Sequence, residues 1–288
     1  MRKLLLWCLL LPLSGYSQQR LHLTLLGGFS NYQGDLQTKY FTLNQANLAV
    51  GAGLQYDITP HIAARIGFHY GSLEADDKQN TGQLRARNLN FHTKLMEGSL
   101  LLQYTLFDLS DRRISPYVFA GAAIYHFDPY TYDTLGNKIF LKPLSTEGQG
   151  LPQYPNRKEY MLTQFAIPFG GGVKFRVSEN ATLGFEVGIR KLFTDYLDDL
   201  STRYVDPLIL ASQRGLKAVE MSYRGGEVKG GNPNYPALNT IRGGEKAKDW
   251  YYITGITLSI GLGGKGGGDS YSGWNGRRSQ IGCPRVRQ

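Results

Sequence analysis

The stretch that decides the fold runs from 164 to 191, QFAIPFGGGVKFRVSENATLGFEVGIRK. Phe165, Ile167, Phe169, Val173, Phe175 and Val177 share one parity, and Gln164, Gly170, Gly172, Lys174 and Arg176 hold the other. Ser178-Glu179-Asn180 interrupts the pattern. Beyond it Leu183, Phe185, Val187 and Ile189 alternate with Gly184, Glu186, Gly188 and Arg190. A period of two is the signature of a strand with unlike faces, and a short polar break between two such runs makes a hairpin.

The same alternation recurs on both sides. It covers 46–58 (Leu48, Val50, Leu54, Tyr56), 62–71 (Ile62, Ile66, Phe68, Tyr70), 94–107 (Met96, Leu100, Leu102, Tyr104) and 250–262 (Tyr252, Ile256, Leu258, Ile260). It is looser in 115–127, through Tyr117, Phe119, Tyr125 and Phe127, and weakest in 20–29. Eight strands are predicted. Their connections alternate strictly in length. Those at 59–61, 108–114 and 178–180 are short, and those at 30–45, 74–93, 128–162 and 194–248 are long. A meander with short turns at one end and long loops at the other is the plan of an outer-membrane barrel.

Alternation alone does not say which face meets water, because a soluble eight-stranded barrel alternates too. Three features favour the membrane. The less apolar parity is mostly Gly, Ala, Ser and Thr with few charges, which suits a crowded lumen and not a solvated wall. The strands reach about a dozen residues, enough for a tilted crossing. Aromatic residues recur at strand ends, namely Tyr56, Tyr70, Phe107, Tyr117, Tyr125, Phe127, Phe193, Tyr251 and Tyr252, where rings suit the membrane interface. The expected fold is all-β, an eight-stranded antiparallel up-and-down transmembrane β-barrel with long extracellular loops.

Composition agrees with that plan. No run of 18 or more apolar residues exists for a membrane-crossing helix. The 2 cysteines exclude a disulfide scaffold and a cysteine-built zinc site. Met1-Arg2-Lys3, the apolar stretch Leu4 to Leu13 and the small residues Gly15 and Ser17 read as a signal peptide over 1–17. The barrel domain is then 18–262, and 263–288 is a disordered basic tail. Removing Arg2 and Lys3 lowers the net charge from +9 to +7 and leaves Cys283 as the single cysteine.

With apolar faces toward lipid, Arg65, His69, Glu97, Gln103, Lys174, Arg176, Glu186 and Arg190 point inward. Both signs are present, so a paired polar network is expected, because an unpaired buried charge costs several kcal/mol. A proton or ion path is the functional alternative to a structural network. Eight strands leave little lumen beyond side chains, which argues against a wide pore.

No catalytic motif is present, and no cofactor or metal is expected. His126 with Asp128, or Ser99 with Glu97, is the nearest approach to a catalytic pair. Asp195, Asp198 and Asp199 resemble calcium ligands but lack the glycine and bidentate Glu of a calcium loop. Within the last loop, 206–221 reads as a helix over the barrel mouth. The tail carries Lys265, Arg277, Arg278, Arg285 and Arg287 against Asp269, after a Gly-rich linker. Export argues against nucleic acid, leaving anionic lipid headgroups or an acidic protein as its partner. Cys283 is available for a bond to another chain in an oxidising compartment.

Several segments together resemble a known family. They are Asn31-Tyr32-Gln33-Gly34-Asp35-Leu36, Arg87-Asn88-Leu89-Asn90-Phe91, Ser115-Pro116-Tyr117-Val118-Phe119-Ala120-Gly121, His126-Phe127-Asp128-Pro129-Tyr130 and Cys283-Pro284-Arg285. Over most of the mature chain they look like the PorG-like outer-membrane barrels of Bacteroidetes. The resemblance implies a component of the type IX protein secretion and gliding machinery, associated with a periplasmic ring built from a lipoprotein and its partner. It carries no catalytic residues. The leading expectation is therefore a non-enzymatic anchor in contact with membrane lipid and lipopolysaccharide. On its periplasmic side Arg277, Arg278, Cys283, Arg285 and Arg287 would meet the ring lipoprotein. A surface barrel that displays its loops, a lipid-modifying enzyme and a narrow channel are the other readings.

Overall fold

A computed structural model of the chain describes residues 20–37, 42–244 and 248–262. The expected signal peptide and the tail, with Arg277, Arg278, Cys283, Arg285 and Arg287, lie outside the described residues.

Eight strands form the wall: β1 (Leu21–Gln33), β2 (Asn47–Asp57), β3 (Ile62–Asp76), β4 (Asn90–Thr105), β5 (Ile114–His126), β8 (Thr163–Arg176), β9 (Ala181–Leu192) and β10 (Trp250–Gly261). Each pairs antiparallel with its chain neighbour, and β1 also pairs with β10, from His22 opposite Gly261 to Gln33 opposite Trp250. The ring is closed by the pairing of β1 with β10, so the barrel has no open sheet edge along its length. The turns 58–61, 106–113 and 177–180 lie at the end where β1 begins and β10 finishes.

Burial follows the alternation. Along β4 the pattern from Thr93 to Thr105 is strictly buried and exposed in turn. Leu48, Val50, Ile66, Phe68, Leu100, Leu102, Phe165, Phe185 and Ile256 form an exposed apolar belt around the barrel. A belt of this kind on a closed ring faces lipid, not water.

The fifth strand corrects the expectation. Tyr117, Phe119, Tyr125 and Phe127 face inward, and Pro116, Val118, Ala120, Ala122 and Ile124 face lipid. Both parities of β5 are apolar, so the pattern has little contrast, and volume decides instead. A Cβ on Gly172 would lie 2.8 Å from the Tyr117 ring, and one on Gly170 would lie 2.8 Å from Phe119. The bare inner faces of β8 and β9 are thus filled by rings from β5. Tyr251 and Tyr252 are also buried, whereas Tyr56 and Tyr70 stay exposed on the wall and Phe107 and Phe193 stay exposed just beyond strand ends.

The long connections fold into a cap. A hairpin, β6 (Tyr130–Tyr132) and β7 (Lys138–Phe140), continues the sheet through His92 opposite Tyr130. Helix α1 (Gly82–Arg87) lies in the second long loop. The helical stretch expected at 206–221 is two helices, α2 (Pro207–Arg214) and α3 (Leu216–Ser222), separated at Gly215 with φ of +86°. That angle belongs to glycine, which explains the break. Asp206 caps α2 by accepting from Leu208 N, with Pro207 in the first turn. One apolar cluster runs from the upper lumen into the cap, joining Tyr32, Phe91, Leu95, Tyr125 and Tyr251 to Leu36, Leu141, Leu197 and Leu200.

If the belt faces lipid, Leu100→Arg at mid-wall should cost about 2–4 kcal/mol, and Ile58→Arg at the lower end about 0–1 kcal/mol. Denaturant unfolding in lipid vesicles measures both, and equal costs would contradict the assignment.

Candidate functional site

The inward row of each strand supplies a layered polar lumen. In its upper layer Glu97 of β4 is fully buried. It accepts from Arg190 Nε at 2.9 Å and Arg190 Nη2 at 3.1 Å, a bidentate pair. Tyr251 Oη donates to its Oε2 at 2.6 Å, and His69 Nδ1 lies 3.1 Å from Oε1. Glycines make the room. A Cβ on Gly188 would stand 2.3 Å from Arg190 Nη1, and one on Gly51 would stand 2.4 Å from the His69 ring.

The next layer pairs Arg65 Nη1 with Glu186 Oε2 at 2.6 Å, and Tyr117 Oη donates to the same oxygen at 2.8 Å. Gln103 Oε1 accepts from Arg65 Nη1 at 3.4 Å. Toward the periplasmic end Lys174 Nζ donates to Gln55 Oε1 at 3.0 Å, Gln55 Nε2 donates to Asp57 Oδ1 at 2.6 Å, and Asp57 Oδ2 lies 2.9 Å from His22 Nε2.

Arg65, His69, Glu97, Gln103, Lys174, Glu186 and Arg190 therefore meet in the lumen. Arg176 does not join them. It sits at the last position of β8, at the rim, and its Nη1 donates to Ser110 O in the turn below. Sequence reading missed Tyr117 and Tyr251 as network members by treating them as interface rings. Gln55 and Asp57 were visible on the inward parity. The lumen space lined by Arg65, His69, Ser99 and Thr257 measures about 20 Å³. That is room for roughly one water, not for a solute.

Above the lumen a second polar centre knits the loops. Arg242 is 2% exposed. Its Nη1 donates to Glu147 Oε1 at 3.0 Å and Asp199 O at 2.7 Å, and its Nε donates to Ser222 O at 3.1 Å. Glu147 Oε2 also accepts from Thr202 N at 2.8 Å. Asp199 accepts from Thr146 Oγ1 at 2.5 Å and Tyr160 Oη at 2.8 Å. In the second loop Arg87 grips Asp77 through Nε at 2.7 Å and Nη2 at 2.9 Å, and its Nη1 donates to Arg242 O.

Between lumen and cap, Tyr32 Oη lies 2.6 Å from Asp198 Oδ2 and 3.0 Å from Asp249 Oδ1. A phenol has one proton, so it satisfies one carboxylate, and the second contact needs a proton on the other carboxyl. Burial, then mutual repulsion with neighbouring carboxylates, pushes both Asp198 and Asp249 well above the usual range. Burial likewise raises Asp195 to about 7 and Asp199 to about 6, the latter against the pull of Arg242.

The three aspartates considered for calcium point to different partners, since Asp195 accepts from Ser201 Oγ at 2.9 Å. Among the described residues no group of three His, Cys, Asp or Glu side chains is placed to hold a metal ion. His126 Nδ1 pairs with Thr163 Oγ1 at 2.9 Å on the exposed side of the wall.

The family described as a domain of unknown function, DUF6089, matches residues 2–208. None of the curated proteins compared with the chain matches its sequence. Among solved structures it is similar to Neisserial surface protein A, with 9% identity, TM-score 0.43, and coverage of 86% of this chain and 99% of that one. The attachment invasion locus protein Ail of Yersinia pestis has 7% identity, TM-score 0.40, and coverage of 84% and 97%. The outer membrane protein OprG of Pseudomonas aeruginosa has 10% identity, TM-score 0.38, and coverage of 84% and 97%. These likenesses are loose, and the assignment stands on the closed strand pairing and the apolar belt: the chain is an outer-membrane β-barrel.

Replacing Glu97 with Gln leaves Arg190 without its counter-charge and should cost roughly 3–5 kcal/mol. Arg176→Gln at the rim should stay within about 0.5 kcal/mol. Urea unfolding in vesicles separates the two.

The cap also carries a pH dependence with a definite sign. A carboxyl raised in the folded state favours its protonated form there, so its stability is full below the unfolded value near 4. That stability is lost as pH rises through about 6 for Asp199 and about 7 for Asp195. Hydrogen-exchange protection of 195–201, corrected for intrinsic rates, should be higher at pH 4 than at pH 8, and Asp195→Asn should flatten the difference.

Proposed function

The chain belongs to the DUF6089 family, and from its architecture we propose that it is a non-enzymatic outer-membrane anchor that holds a periplasmic type IX protein-secretion assembly at the membrane. The observation that carries this reading is the filled lumen. Ion pairs occupy it, about 20 Å³ of space remains between Arg65 and His69, and a folded cap covers its mouth. A barrel so closed acts through its surfaces and not by passage.

The periplasmic surface is the relevant one here. Both ends of the wall, Leu21 and Gly261, open there. Five basic residues and Cys283 give the tail the chemistry to engage an acidic periplasmic lipoprotein, by charge first and then by a disulfide. The resemblance to PorG-like barrels supplies the secretion assembly as the setting.

Deleting 263–288 should leave a folded barrel, with its heat-dependent gel mobility unchanged, that no longer co-purifies the ring lipoprotein. Normal co-purification after truncation would remove the tail from the account. Cys283→Ser alone should abolish any reducible cross-linked species while leaving the salt-sensitive association.

One observation favours a second reading, a surface barrel that displays its loops. The cap has its own apolar core of Leu151, Val205, Leu210 and Ala218, and it presents Leu208 and Leu216 at 79% and 81% exposure. Leu208→Ser with Leu216→Ser should then abolish surface adhesion and spare secretion; lost secretion with normal adhesion would reverse the ranking.

A further inference from the structure

On the outer wall β2, β3 and β4 step down at their extracellular ends. The ladder between β2 and β3 stops at Ala49 opposite Gly71, whereas β3 and β4 continue together to Asp76 opposite Asn90. Val50 stands opposite Tyr70, and Ser72 stands opposite Lys94. The step leaves a recess of about 290 Å³ lined by Leu48, Val50, Tyr70, Gly71, Ser72 and Lys94. Its floor is apolar, and its upper edge carries a hydroxyl and an ammonium.

The height of that edge is set by β4. Below Lys94 the outward row reads Met96, Gly98, Leu100, Leu102 and Tyr104, and above it His92 and Asn90. Along β4, Lys94 is thus the first charged residue above the apolar belt, at headgroup level. It is exposed and makes no ion pair among the described residues. The carboxylate one row above, Glu74, lies 3.2 Å from His92 Nδ1.

We propose that this recess binds the phosphorylated glycolipid of the outer leaflet, lipopolysaccharide. One acyl chain lies along Leu48, Val50 and Tyr70, and a glucosamine phosphate sits against Lys94 with Ser72 as a hydroxyl donor. Charge complementarity selects a phosphate, the apolar floor selects a lipid, and the extracellular height selects the outer leaflet. The inference is independent of the secretion reading, since the recess is built from β2, β3 and β4 and uses no residue of 263–288. Lys191, an outward lysine of β9 opposite Trp250, lies outside the recess and serves as a control.

The test uses the full-length barrel in zwitterionic detergent, titrated with diphosphoryl lipid A and followed by native mass spectrometry. Lys94→Gln should weaken lipid A binding about fivefold, whereas Lys94→Arg and Lys191→Gln should bind as the parent does. Lipid A stripped of both phosphates should bind the parent no better than intact lipid A binds Lys94→Gln. Unchanged binding by Lys94→Gln would overturn the site. Phosphatidylglycerol binding as tightly as lipid A would overturn its assignment to the outer-leaflet glycolipid.

Discussion

The structure depends on one buried contact, the bidentate pair between Glu97 and Arg190, at 2.9 and 3.1 Å, in a lumen filled by side chains. A membrane barrel turns the ordinary protein inside out. Its apolar residues must face lipid, so its polar residues are forced inward, where each charge must find a partner. Glu97 collects Arg190, His69 and Tyr251 from β9, β3 and β10, tying together four of the eight strands. Arg65 and Glu186 repeat the device one layer down, between β3 and β9. These pairs fix which strands lie across from one another, a task that alternating apolar residues on a lipid-facing wall do not perform.

The same constraint continues upward. The loops would leave buried polar backbone over the barrel mouth if they collapsed without partners. Arg242 and Glu147 meet that demand by reaching several backbone groups as well as each other. Tyr32 then joins the wall to the cap through Asp198 and Asp249. The cap rests on shared protons and buried guanidinium groups, and so responds to pH.

The wall was legible because a period of two runs through most of its strands and its connections alternate in length. In β8 and β9 the polar parity carries Lys174, Glu186 and Arg190 among glycines, which announces a lumen. In β5 both parities are apolar, and the rings of Tyr117, Phe119, Tyr125 and Phe127 were assigned to the wrong face. What places Tyr117 and Phe119 inside is the empty space over Gly172 and Gly170 on another strand, and Tyr125 and Phe127 pack there against Tyr251 and Tyr160, relations between distant segments. Arg176 shares the lumen parity, but parity does not report height, and its position at the end of β8 takes it out of the network. The cap was the least legible part. Its central contacts join residues 147 and 242, or 32 and 249, and no local pattern encodes such pairings.

The central claim is that the lumen is closed and the barrel works through its surfaces. Conductance of the purified full-length protein in planar lipid bilayers at neutral pH tests it most directly. The account predicts a flat current after insertion, with no ohmic steps above the bare membrane. Sustained, discrete openings would show a continuous path past the Glu97 layer and contradict it.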